Sequence, residues 1–307
     1  MIRVAARAKI NLTLRVLSRR ADGFHDILSW MHPIDWADEL TVRPSSQAGV
    51  RLICDDAAIP AGRDNLILRA AEALARRTGR DPAYEVELRK RLPMGGGLGG
   101  GSADAAAMLL AMARFESIDA NDARLADAAA EIGSDVPFFL GRGAMLASGR
   151  GTALQSAPAM EGWAALVMPP FVVSTPAAYG ACRPRPLTQN EPQPWRRRDA
   201  AASSGTEISA HSNSAHPISA TACTKELVND LTSAAITVEP RVAEVIQALQ
   251  PLGQPVHMSG SGSTLFALFD DDTTSQAWAI AAAQRAPAVR LHVARLIHAP
   301  PCEWLKE

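Results

Sequence analysis

Six glycines fall within the seven positions from Gly95 to Gly101, in the run Pro93-Met94-Gly95-Gly96-Gly97-Leu98-Gly99-Gly100-Gly101-Ser102. Glycine loses the most backbone entropy on ordering, so a purely structural loop of this composition is costly. What the run permits is close approach of the main chain to an anion, with several N–H groups converging on it. The alanine-, methionine- and leucine-rich stretch from Ser102 to about Phe115 has helix character. Its start adds unpaired amide donors and the positive end of the helix dipole. Pro93 to Ser102 therefore form a candidate phosphate cradle. Ser102 itself suits either an N-cap or a hydroxyl directed at phosphate or magnesium.

Two familiar phosphate loops fit less well. Gly95, Gly97 and Gly100 satisfy the dinucleotide fingerprint G-x-G-x-x-G. The preceding strand, Tyr84–Leu92, alternates in polarity, whereas a core strand of a dinucleotide-binding sheet is apolar on both faces. Asp119 lies near the expected distance downstream but in a polar segment that starts a helix. A Walker loop is excluded because no Lys-Ser or Lys-Thr follows the glycines, and protein-kinase signatures are absent.

The elements that must position the cradle are legible in outline. Ile10, Leu12, Leu14 and Val16 alternate with Lys9, Asn11, Thr13 and Arg15. Period two predicts a half-buried strand with Lys9 and Asn11 on one face. The turn-rich segment Arg19–His25 follows. Further strands are expected at Glu39–Arg43, Val50–Cys54, Tyr84–Leu92 and Trp163–Met168. Asn65–Arg77 reads as a helix with Leu66, Ala70, Ala73 and Leu74 as its apolar stripe, and Ala123–Ile132 as another. In the second half, Val242, Val245, Ile246 and Leu249 form a helical stripe. His257–Phe269 reads as a glycine turn feeding an apolar strand, and Ala277–Ala286 as a helix. From about Pro184 to Thr224 the composition turns to Ser, Ala, Thr, Pro, Gln and Asn, with a basic run at Arg196–Arg198. Such a segment buries too little apolar surface to offset its ordering entropy and reads as a flexible insertion. No internal repeat is evident.

Composition narrows the function classes. The 307 residues are 47% hydrophobic and 21% charged, with net charge -1. That suits two domains and offers no electrostatic footprint for nucleic acid or an anionic membrane. No apolar run approaches the roughly 18 residues that cross a bilayer. Cys54, Cys182, Cys223 and Cys302 are scattered without CxxC spacing and read as reduced thiols of a cytoplasmic protein.

The segment Pro93–Ala106 resembles the second motif of the GHMP kinases, named for galactose, homoserine, mevalonate and phosphomevalonate kinases. Ala8-Lys9-Ile10-Asn11-Leu12 resembles their first motif, and Met258-Ser259-Gly260-Ser261-Gly262-Ser263-Thr264 their glycine-rich third, in the same order. Finer segments resemble the branch that acts on 4-diphosphocytidyl-2-C-methyl-D-erythritol. These are Arg20–His25, Lys90–Pro93, Gly133–Phe139, Ser174-Thr175-Pro176 and Asn229-Asp230-Leu231. That branch usually has tyrosine where Phe24 stands.

The resemblance implies a two-domain α+β fold, divided at about 1–155 and 156–307. The first half would resemble ribosomal protein S5 domain 2, and the second would be ferredoxin-like, with the active site between them. It implies ATP and Mg²⁺ as cofactors and phosphorylation of the acceptor's C2 hydroxyl. Asp135 would accept or orient that hydroxyl's proton, and Lys9 would offset charge on the transferring group. Phe24 and Tyr179 would flank the cytosine, with polar contacts from His25 and Lys90. Asn11 and Thr175 would touch the methylerythritol. No metal ligand set of side chains is expected, and His25 lacks partners for one. Other small alcohols as acceptor, a non-catalytic ligand-binding role, and monomer or homodimer all stay open at this point.

Overall fold

In the computed structural model the described residues are 1–60, 62–188, 193–195 and 217–306. β1 (Ile2–Arg19) and β2 (His25–Pro44) form a long antiparallel hairpin around the turn at residues 20–24. β3 (Gly49–Cys54), α1 (Leu66–Thr78) and β4 (Ala83–Arg89) make a βαβ unit whose strands pair in parallel, with β4 against β2. α2 (Gly100–Phe115), α3 (Ala123–Ile132) and the single-turn α4 (Val136–Phe139) follow, and the hairpin of β5 (Met145–Gly149) and β6 (Ala153–Ser156) joins the other end of β2.

β7 (Met160–Glu161), β8 (Trp163–Met168), α5 (Thr175–Ala181), β9 (Ile218–Ser219), α6 (Leu231–Val238) and α7 (Arg241–Leu249) open the second half. β10 (His257–Met258), β11 (Leu265–Phe269), α8 (Asp272–Arg285), β12 (Arg290–Arg295) and β13 (Cys302–Trp304) complete it. Its four-stranded sheet runs β10-β11-β8-β12, all antiparallel, while β7 and β9 pair separately. The chain then returns: β13 pairs with β1 and becomes the edge of the seven-stranded N-terminal sheet.

Local chemistry explains the main elements. The Asn65 side chain caps α1 by accepting from the Ile67 amide, and Gly79 ends it in the left-handed region at φ 69°. α2 buries a nearly continuous, alanine-rich run from Ala103 through Ala113, with Met108, Leu109 and Met112 among it, and packs in one cluster with Leu40, Val42, Val86 and Leu88 of the sheet. A second apolar cluster joins the two lobes, with Ile10, Leu12 and Trp30 packing with Leu166, Phe266 and Leu296. Trp30 is fully buried, and its indole N–H donates to the Pro158 carbonyl at 3.2 Å.

Several expectations need correction. β1 is buried on both faces: Lys9, Asn11, Thr13 and Arg15 are as inaccessible as the apolar residues between them. The polar face is covered by the C-terminal lobe, where Asp230 pairs with Arg15 and the Leu14 amide donates to the Val228 carbonyl. Leu66 is only partly buried against the core and also faces Gly101, while Ile67 joins Ala70, Ala73 and Leu74 in the buried stripe of α1. α2 begins at Gly100 and not at Ser102, with Gly99 as its cap residue. The flexible insertion is narrower than its composition suggested. Ile218-Ser219 pairs with Met160-Glu161, and Ala220, Cys223 and Thr224 are buried. Residues 189–192 and 196–216, including Arg196–Arg198, lie outside the described residues.

Candidate active site

β1 brings Lys9 to the seam between the lobes. A register shift between Arg7 and Lys9 sets Lys9 opposite Pro33, and the Lys9 N–H donates to the Leu98 carbonyl of the glycine loop at 2.9 Å. The glycine loop is thereby docked on the strand through its own backbone. Lys9 is only 2% exposed, yet its ammonium has three oxygen partners. Nζ lies 2.6 Å from Asn11 Oδ1, 2.9 Å from the Gly97 carbonyl and 3.2 Å from Asp135 Oδ2. A buried ammonium needs this satisfaction to stay charged. Asn11 shares its face, as period two required, and its Nδ2 donates to Ser29 Oγ at 2.8 Å.

The loop itself adopts the backbone that only glycine tolerates: Gly95, Gly97 and Gly99 have φ of 70°, 74° and 76°. No side chain caps α2, so its first amides keep their donors for another partner. Pro93, Met94, Gly95, Gly96, Gly97, Gly99, Gly100, Gly101 and Ser102 line a cavity of about 1110 Å³. Leu98 does not. Its side chain is buried among the residues that join the lobes, and only its carbonyl serves the site. Ser102 sits inside the first turn of α2 on the cavity wall, so its bland role as N-cap is replaced by Gly99.

The third glycine-rich segment braces the second. Ser259 Oγ donates to the Gly97 carbonyl at 3.0 Å and accepts from the Asn11 amide, while the Thr264 amide donates to Gly96. Asn229 holds that turn in place by donating to the carbonyls of Met258 and Gly260. The three segments that are remote in sequence thus converge on one oxygen, that of Gly97.

The other end of the cavity is aromatic. Tyr179, one turn into α5, stands 5.2 Å from the His25 ring, and burial pushes its phenol pKa up. Burial and the nearby Arg19 lower His25, so near neutral pH the ring is uncharged, with one donor and one acceptor nitrogen. Phe24 is 48% exposed, with the Arg150 guanidinium 5.1 Å above its ring. Thr175 opens α5 and exchanges a 2.7 Å hydrogen bond with Ser261. Asp135, 39% exposed on its side chain, lies between the two ends, just before α4.

Lys90 departs from its expected place. Its ammonium is held by Asp38 Oδ2 and by Asp104 Oδ2 at 2.9 Å, at the glycine end, and not beside His25. Burial opposes its charge, but the two carboxylates outweigh burial and hold its pKa above the ordinary value. Asp104 is pushed up to about 7 by burial and by the charge of Asp38, with Lys90 offsetting part of this. Its Oδ1 has no hydrogen-bond partner among the described residues. Asp38 does more than pair: its Oδ1 accepts from the amides of Arg91 and Leu92, fixing the strand end that feeds the loop.

Sequence reasoning missed the wall beside Gly101. Ile59, Pro60, Asp64, Asn65 and Leu66 line the cavity there, and a Cβ on Gly101 would lie 3.5 Å from Leu66 Cδ1. Asn65 carried a visible signal, since a capping residue ahead of an amphipathic helix was readable, but not that the cap faces a cavity. Asp38 and Arg150 carried none.

Comparison with known proteins agrees with this layout. Residues 65–143 match the GHMP kinases N terminal domain and residues 218–286 the GHMP kinases C terminal family. A 4-diphosphocytidyl-2-C-methyl-D-erythritol kinase of Synechococcus sp. (strain CC9311) is 41% identical over 281 residues, 87% of this chain and 86% of the relative. The enzyme of that name from Pelotomaculum thermopropionicum is 37% identical over 88% of this chain and 90% of its own length. A crystal structure of 4-(cytidine 5'-diphospho)-2C-methyl-D-erythritol kinase superposes with a TM-score of 0.73 at 30% identity, covering 96% of this chain and 99% of that one. A homoserine kinase from Cytophaga hutchinsonii, 19% identical with a TM-score of 0.70, covers 99% of this chain and 97% of its own and shares the fold. With the two-domain α+β architecture, the three converging loops and these relatives taken together, the chain belongs to the 4-diphosphocytidyl-2-C-methyl-D-erythritol kinase family of the GHMP kinases.

Proposed function

We infer that this chain transfers the γ-phosphoryl group of ATP to the C2 hydroxyl of 4-diphosphocytidyl-2-C-methyl-D-erythritol, giving ADP and the 2-phosphate, in non-mevalonate isoprenoid precursor synthesis. The observation that carries the reading is the position of Lys9 Nζ, 2.9 Å from the phosphate loop at Gly97 and 3.2 Å from Asp135. One ammonium joins the nucleotide side of the cavity to the group that faces the acceptor hydroxyl. Phosphoryl transfer depends on such positioning and charge neutralisation more than on covalent chemistry.

The glycine loop and the uncapped start of α2 receive the triphosphate. Asp135 takes the acceptor hydroxyl in a hydrogen bond and its proton as the oxygen attacks phosphorus. The Lys9 side chain offsets charge developing on the transferring oxygens. Phe24, His25 and Tyr179 receive the cytosine, and Asn11 and Thr175 the methylerythritol. Mg²⁺ fits as a companion of the nucleotide. Among the described residues no cluster of three or more His, Cys, Asp or Glu side chains stands ready to hold a metal, and Mg²⁺ is commonly held through substrate phosphates. The Ser102 hydroxyl on the cavity wall would join the phosphates in holding it. Among the described residues no helix is long and apolar enough to cross a membrane, and a cytoplasmic protein, monomer or homodimer, accords with the family.

The test is ATP turnover against a panel of this acceptor, mevalonate and homoserine, with Asp135→Asn alongside. Turnover on the cytidine-linked acceptor alone is expected. Asp135→Asn should lower kcat by ~10²–10⁴-fold and leave nucleotide affinity intact. Activity confined to mevalonate or homoserine overturns the acceptor; unchanged turnover in the variant overturns the role of Asp135.

A further inference from the structure

The acceptor end of the cavity holds a cation that phosphoryl transfer itself does not use. Arg150 stands at the tip of the β5–β6 hairpin between Gly149 and Gly151, whose φ values of 61° and 100° make the turn tight. The turn presses on the catalytic segment: a Cβ on Gly151 would lie 3.6 Å from Ser134 Cβ and 3.4 Å from Ile27 Cδ1. Ser134 is the neighbour of Asp135. On its other side the Arg150 guanidinium lies 5.1 Å from the centre of the Phe24 ring. Arg150 therefore stands between the aromatic end of the cavity and Asp135, and it lines the cavity itself.

Its charge is left over. Of the other cations on the cavity wall, Lys9 faces Asp135, and Lys90 faces Asp38 and Asp104. Arg150 has no carboxylate partner among the described residues; its Nη2 donates to the Ala130 carbonyl in the last turn of α3. That contact suits a cation at a helix C-terminus and fixes the guanidinium without neutralising it. Arg19 also lines the cavity, but it is exposed at the end of β1, and no side-chain hydrogen bond among the described residues holds it. A partly buried, anchored and uncompensated guanidinium is the usual protein answer to a phosphate oxygen pair.

The acceptor inferred above carries two negative charges in one place, the diphosphate that separates cytosine from the reacting alcohol. We propose that Arg150 binds this diphosphate and so selects nucleoside-diphosphate-linked alcohols over uncharged ones. The assignment rests on that acceptor reading. It gives Phe24 a second task as the platform under the guanidinium, which a phenylalanine performs without a hydroxyl.

Equilibrium binding of CDP and of cytidine separates the two claims, because neither needs turnover. Wild-type protein is expected to bind CDP more tightly than cytidine. Arg150→Ala should weaken CDP by about ten- to a hundredfold, the worth of a charge-assisted hydrogen bond, and leave cytidine within about twofold. Arg150→Lys, which keeps the charge and guards against a misfolded alanine variant, should recover part of the loss. In turnover, KM for the acceptor should rise while KM for ATP holds. Arg142→Ala, an exposed cation off the cavity, should change neither ligand. Equal weakening of CDP and cytidine in Arg150→Ala would mean that the residue acts only through the Phe24 ring, and would overturn the proposal. So would no change in either. Wild-type protein that binds neither ligand and does not turn over the acceptor overturns the acceptor reading, and this assignment with it.

Discussion

Gly97→Ala tests the whole construction at its narrowest point. The residue has φ 74°, and a Cβ placed there would lie 2.3 Å from the Ser259 carbonyl oxygen and 3.1 Å from its carbon. The left-handed backbone alone costs an alanine roughly 1–2 kcal/mol. The contact cannot be relieved by a rotamer, because the neighbour is backbone, and that backbone is tied by Asn229 to the carbonyls of Met258 and Gly260. Overpacking of this kind adds roughly 1–3 kcal/mol. A loss of about 2–5 kcal/mol in unfolding free energy is expected from urea titration. The Gly97 carbonyl is also the acceptor for Lys9 Nζ and Ser259 Oγ, so any escape of the loop moves the Lys9 ammonium. A displacement near 1 Å in such a site costs about 10² in kcat, read by coupled ADP release. Gly79→Ala is the control. It has φ 69° at the end of α1 with nothing within 4 Å of the added carbon, so it should lose only the roughly 1–2 kcal/mol of the left-handed backbone and keep full kcat. If Gly97→Ala is no less stable than Gly79→Ala and retains kcat within about threefold, the lobes are not locked through Gly97, and the account of Lys9 fails.

Two further outcomes concern pH. Asp104, raised to about 7, holds its proton in the folded chain where the unfolded chain has released it. Its contribution to stability is full below about pH 4 and is lost as pH rises through about 7. Asp104→Asn keeps an oxygen for Lys90 and removes one of two competing charges, so its stability relative to wild type should rise as pH goes from 5 to 8. A wild-type-to-variant difference that stays flat over that range refutes the assignment. His32 is lowered to about 4 by burial, with Nε2 accepting from the Met160 amide and Nδ1 donating to the Pro33 carbonyl. Its stabilising contribution is full above about 6.5 and falls with pH toward 4, by up to about 3 kcal/mol. Chemical denaturation from pH 6.5 to 5 should show that loss, and His32→Asn should flatten it; a slope identical in both proteins excludes His32 as its source.

Much of the site was legible because it depends on local pattern. Period two alone put Lys9 and Asn11 on one face of a strand, and their side chains do meet, at 2.6 Å. Glycine density before an alanine-rich helix announced a loop that approaches something closely, and Gly97 does approach the Ser259 backbone, where a Cβ would lie 2.3 Å from its carbonyl oxygen. What stayed hidden depends on chain segments brought together from far apart. Nothing near β1 indicates that its polar face is covered, because the cover, Asp230 and Ser259, comes from more than 200 residues downstream. The pairing of Lys90 was not legible because its partners, Asp38 and Asp104, lie on another strand and on the helix. Arg150 sits in a short Ser-Gly-Arg-Gly turn that reads as a plain hairpin; only the packing of Gly151 on Ser134 turns it toward the reaction.

The same distinction explains why the glycine loop alone was ambiguous. Backbone amides that cradle phosphate are indifferent to which nucleotide-using chemistry follows, so the motif fitted a dinucleotide fingerprint as readily as a kinase. Specificity enters through what the loop is tied to. Its Leu98 carbonyl is bound by β1, its Gly96 and Gly97 carbonyls by the turn after β10, and its entry strand by Asp38 of β2. Each tie removes a way for the loop to move relative to Asp135. In-line transfer needs donor and acceptor oxygens held to a fraction of an ångström, and a flexible glycine run can meet that demand only if its freedom is taken away by neighbours. Glycine is therefore used here for the close approach it allows, while the rigidity comes from both lobes together.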